Sequence, residues 1–110
     1  MRQQSDKRLP LVRAVLEART QLTEGLRDKR RYPREQFDRF FAAVKAYAEA
    51  SAKEPLLHRK VVILMNGFRE SLQLERKSVP GDILFAADRL ETIFFAGYDP
   101  MFEGDEPPDL

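Results

Sequence analysis

Apolar residues recur every three or four positions in four stretches of this chain, and each stretch is led by a proline. Pro10, Pro33, Pro55 and Pro80 stand 23, 22 and 25 residues apart. Proline fits the first turn of a helix, where its missing N–H has no partner to lose. The pattern therefore predicts four helices joined by short turns. The first runs from about Pro10 to Arg30, with Leu11, Val12, Val15, Leu22 and Leu26 on one face; Gly25 offers an earlier end. The second, about Pro33 to Ala52, carries Phe37, Phe40, Phe41, Val44, Tyr47 and Ala48 at helical spacing.

The third segment, about Pro55 to Lys77, is broader. Leu57, Val61, Leu64, Met65, Phe68 and Leu72 make one stripe, and Leu56, Ile63, Gly67 and Leu74 a second beside it. So wide an apolar surface predicts a helix lying between neighbours. A hairpin of Val61–Met65 and Phe68–Leu74, turning at Asn66-Gly67, is the competing reading; the spacing of the polar residues favours the helix. The fourth segment runs from about Asp82 to Ala96, with Gly97 placed as a left-handed stop. The expected fold is all-α: a four-helix antiparallel bundle over residues 1–97, followed by an irregular acidic tail, 98–110. Tyr98, Met101 and Phe102 are expected to anchor the start of that tail, and Glu103 to Leu110 to be mobile.

Charge changes this picture more than composition does. The formal net charge is only +1, but residues 1–79 hold 18 Lys and Arg against 10 Asp and Glu. Residues 80–110 hold one base, Arg89, against eight acids. The split predicts either a basic surface kept for an acidic partner or an acidic end that folds back. No cysteine is present, which excludes disulfides, thiolate metal sites and thiol nucleophiles. The longest apolar runs, Phe40–Val44, Val61–Met65 and Ile83–Ala87, have five residues each, against roughly 20 for a bilayer span. The first residues lack the apolar core of a secretory signal, and the expected setting is cytoplasmic.

Catalytic chemistry is sparse. His58 is the only histidine, and a lone imidazole lacks the positioned partner that general-base work requires. Glu35 with Asp38, and Asp88 with Glu91, are carboxylate pairs at i, i+3, a spacing able to hold a cation. Their basic neighbours make solvated surface charges the simpler reading. No phosphate loop or nucleophile elbow occurs. The chain thus reads as non-enzymatic, with no cofactor and no metal.

Three features point to binding. Arg27, Lys29, Arg30, Arg31 and Arg34 crowd the first turn around Tyr32, a pattern suited to phosphates and an unpaired base. Leu84, Phe85 and Phe95 lie off the face that Ile83, Ala87, Leu90 and Phe94 turn to the core, so they form a second layer or an exposed patch. Ala42, Ala46 and Ala50 line the far side of the second helix, where another helix could approach. Arg19 interrupts the apolar stripe of the first helix; its head is expected to reach water, the alternative being a buried pair with a carboxylate from another helix. The leading expectation is a small interaction subunit that self-associates or docks through the fourth helix. The alternative is an RNA- or DNA-binding accessory protein using Arg27–Arg34, with the acidic tail as competitor. Neither a membrane nor a small-molecule substrate is expected as partner.

Overall fold

The computed structural model describes residues 7–28, 30–76 and 78–101. Among the described residues five helices follow one another: α1 (Leu9–Gly25), α2 (Arg34–Ala50), α3 (Arg59–Met65), α4 (Phe68–Glu75) and α5 (Gly81–Ala96). No strand occurs among the described residues. The all-α expectation therefore holds, and the hairpin reading of 61–74 is overturned. Among the described residues no helix is long and apolar enough to cross a membrane.

Five helices replace four because the third segment breaks where the hairpin would have turned. Asn66 leaves the helix with ψ of 110°, and Gly67 takes φ of +72°. A left-handed residue is costly for any side chain bearing a Cβ, and glycine is exempt. The new helix starts at once, with the Ser71 N–H donating to the Gly67 carbonyl at 2.9 Å. α1 also stops short of Arg30. Gly25 is its last residue, and a Cβ there would lie 2.6 Å from the Pro33 ring, so its bare backbone lets the two meet. Gly97 ends α5 at φ of +81°, as the sequence predicts.

The core is built from one face of every helix. Val12, Val15 and Leu22 of α1 meet Phe37, Phe40, Val44 and Tyr47 of α2, with α5 contributing Ile83, Ala87, Leu90 and Phe94. Val61, Met65, Phe68 and Leu72 complete it. Phe68, the first residue after the break, lies 4.9 Å from the Phe40 ring and 6.3 Å from that of Phe37. The kink thus delivers an aromatic ring to the centre. The domain is only 19 Å thick along its shortest axis, about two helix diameters. With two layers no helix is enclosed all round, so the second stripe of the third segment has nothing to bury against. Leu56, Ile63 and Leu74 are exposed, contrary to the central position expected for that segment.

Arg19 takes the less expected arrangement. Its guanidinium is largely buried, donates to Glu75 of α4 at 2.8 Å and to Thr23 at 2.8 Å, and lies 5.8 Å over the Phe68 ring. A cation in the apolar stripe is thus matched by a carboxylate from another helix and a ring face.

Candidate functional site

α5 presents two faces of opposite character. Ile83, Ala87, Leu90, Ile93 and Phe94 are buried. On the other side Phe85 is 56% exposed and Phe95 51%. Leu84, grouped with them from the sequence, is half-buried. Phe95 is held by its neighbour: its ring stands edge-on to Phe94 at 4.8 Å and 88°.

The polar side chains of α5 tie it to the rest of the domain. Glu91 accepts the Arg69 backbone N–H at 3.1 Å, in the open first turn of α4, and Asp88 lies 3.5 Å from the Arg69 guanidinium. Burial pushes the Glu91 carboxyl up, and the hydrogen bond from Arg69 opposes the shift. The Asp88 and Glu91 pair thus works as a helix-to-helix fastener. Arg89 forms two short bonds to Asp99, at 2.8 and 2.6 Å, while its guanidinium lies 5.3 Å over Phe41. These bonds hold the Asp99 carboxyl down to about 2, and the Met101 N–H donates to it as well. Asp99 is buried and Met101 exposed. Of the apolar residues expected to anchor this segment, Tyr98 is half-buried and Met101 exposed, and the Asp99 carboxylate is an anchor the sequence reading did not name. Phe102 and Glu103–Leu110 lie outside the described residues.

The basic turn is arranged differently from its sequence pattern. Tyr32 is buried, with the Arg76 guanidinium 5.3 Å over its ring, so it offers no face to a base. Burial raises its hydroxyl above the ordinary tyrosine range. Arg34 reaches Asp82 of α5 at 2.6 and 3.3 Å, and Arg30 folds onto Asp28 at 3.3 Å. Both carboxyls are lowered, Asp28 chiefly by the Arg30 backbone N–H and Asp82 by the Arg34 guanidinium. Arg27 and Arg31 are exposed, and the Arg31 charge helps to lower Asp28; Lys29 lies outside the described residues. An open cleft of about 540 Å³ runs beside the turn, lined by Asp28, Arg30, Arg31 and Glu35 among others. Its charges are mixed in sign. Glu35 and Asp38 are both exposed near the start of α2.

His58 is a capping residue. Its Nδ1 accepts the Lys60 N–H at 3.2 Å and so closes the first turn of α3. Ala42 and Ala50 are exposed and Ala46 half-buried, so the alanine row is an outer face of α2. No group of three or more potential metal ligands occurs among the described residues. The exposed apolar corner of Leu56, Leu57 and Ile63 was not singled out as a site from sequence, because periodicity placed all three in buried stripes. Compared with known proteins, the chain matches no family model, no curated relative and no solved structure.

Proposed function

We propose that this chain is a non-enzymatic interaction subunit of the cytoplasm, which self-associates through the outer face of α5. The observation that carries the reading is the pair of phenylalanines, each more than half exposed, on a helix whose inward face is already filled. An exposed aromatic pair on a small domain finds its best burial against a partner. A second copy is the partner that fits. Phe85 and Phe95 are five residues either side of Leu90, so a two-fold axis near Leu90 lays each Phe85 on the other copy's Phe95. In that antiparallel pairing position 88 lies opposite position 92, so Asp88 faces Thr92. Such a self-complementary patch is what a two-fold dimer requires.

Sedimentation velocity tests this directly. The wild type should run as a dimer and Phe95→Glu as a monomer with an unchanged circular dichroism spectrum. A monomeric wild type across the micromolar range would remove the reading. Nucleic-acid binding through the basic turn has less support, since Tyr32 is covered and Arg30 and Arg34 already face carboxylates. Catalysis likewise finds no support in His58, whose Nδ1 lone pair is committed to the α3 cap.

A further inference from the structure

A second exposed apolar surface lies where the chain turns from α2 into α3. Leu56 is 74% exposed, Ile63 65%, and Leu57 is partly covered. Three contacts fix the backbone that presents them. Arg8 donates to the Leu56 carbonyl at 2.9 Å, and the buried Tyr47 hydroxyl accepts the His58 N–H at 2.8 Å. His58 in turn caps the helix that carries Ile63. The leucines are thus held outward by a pinned backbone. On α3, Val61 and Met65 face the core, while Arg59, Lys60 and Ile63 share the opposite side.

The stretch that carries these apolar residues is rich in exposed cations. Lys53, Arg59 and Lys60 are exposed and pair with no carboxylate among the described residues, and Glu54 is the one acid between Ser51 and Ile63. Exposed aliphatic side chains in a net-basic stretch match the chemistry of an anionic bilayer surface, where the apolar tips enter the acyl boundary and the cations meet headgroups. An acidic peptide would satisfy the charge, but Leu56 and Ile63 project from the surface, which suits insertion better than enclosure. We propose that the Lys53–Ile63 corner docks this domain peripherally onto anionic lipid. Such contact needs no spanning helix, so it departs from the expectation of no membrane partner, which rested on the shortness of the apolar runs.

Co-sedimentation with vesicles decides it. At low salt the wild type should pellet with mixed phosphatidylserine and phosphatidylcholine vesicles and stay in solution with phosphatidylcholine alone. Added salt should weaken binding, with about fivefold lost for each Lys or Arg removed. Leu56→Gln with Leu57→Gln should reduce the bound fraction about tenfold while leaving the circular dichroism spectrum and the oligomeric state unchanged. Two outcomes overturn the proposal: no binding to the anionic vesicles, with or without binding to an acidic amphipathic peptide, or a leucine variant that binds as well as wild type. Phe85 and Phe95 are untouched in these variants, so the result is independent of the dimer reading.

Discussion

Arg34–Asp82 and Arg89–Asp99 are the same pair by distance, 2.6 Å at the closest approach in each. Their surroundings differ. The first has side chains 53% and 67% exposed, the second 31% and 6%. Water competes with the first for every hydrogen bond, so its attraction is screened and the ordering of two long side chains offsets it. In the second, the carboxylate has left water, and Arg89 and the Met101 N–H replace its hydration. The basic turn is tied instead by Arg76, which covers the Tyr32 ring and donates to the Asp28 and Arg31 carbonyls at 3.0 and 3.2 Å. The far end of α5 is held by its partly buried ion pair.

The largest test of that contrast is Asp99→Ala. It leaves Arg89 over Phe41 without this carboxylate and should cost about 2–4 kcal/mol in urea unfolding. Acid titration should show a similar but smaller effect. The Asp99 carboxyl is lowered from 3.8 to about 2 in the folded state. Its contribution is thus complete above the unfolded value and lost as pH falls through the folded one, a change of about 2 kcal/mol between pH 5 and pH 2. Asp99→Ala should lack that part of the acid response; an identical slope in both proteins would show that the pair is as screened as its surface counterpart. Asp82→Ala should have the smallest effect, leaving the thermal midpoint unchanged at moderate salt. A clear loss there would make the two pairs equivalent and undo the comparison.

The vesicle and dimer experiments sharpen a related contrast, between apolar side chains that found cover and those that did not. In α2 the strict spacing of Phe37, Phe40, Val44 and Tyr47 leaves only one way to turn the helix, and all four are buried. In the third segment two stripes competed for one core. Val61, Met65, Phe68 and Leu72 are buried, while Leu56, Ile63 and Leu74 face solvent. Both features proposed as contacts, the α5 phenylalanines and the Leu56 corner, come from stretches with more apolar residues than the core could take.

Local chemistry was sufficient for much of the architecture. The apolar periods marked the helical segments and proline marked the starts of α1, α2 and α5, whereas α3 begins at Arg59, beyond Pro55; Gly97 marked the end of α5 through its freedom in the left-handed region. Asn66-Gly67 carried its signal too, though as a turn between helices and not between strands. Local pattern could not say which of two adjacent stripes would be covered, because burial depends on how many layers pack, and here there are two. Nor could it show that Tyr32 would lie beneath Arg76, that Arg19 would meet Glu75, or that Asp99 would close on Arg89. The Arg19 and Tyr32 contacts join side chains 56 and 44 positions apart; Asp99 reaches Arg89 only because Gly97 reverses the chain. The Arg19 and Tyr32 contacts depend on where the helices come to rest, and tertiary packing alone decides that.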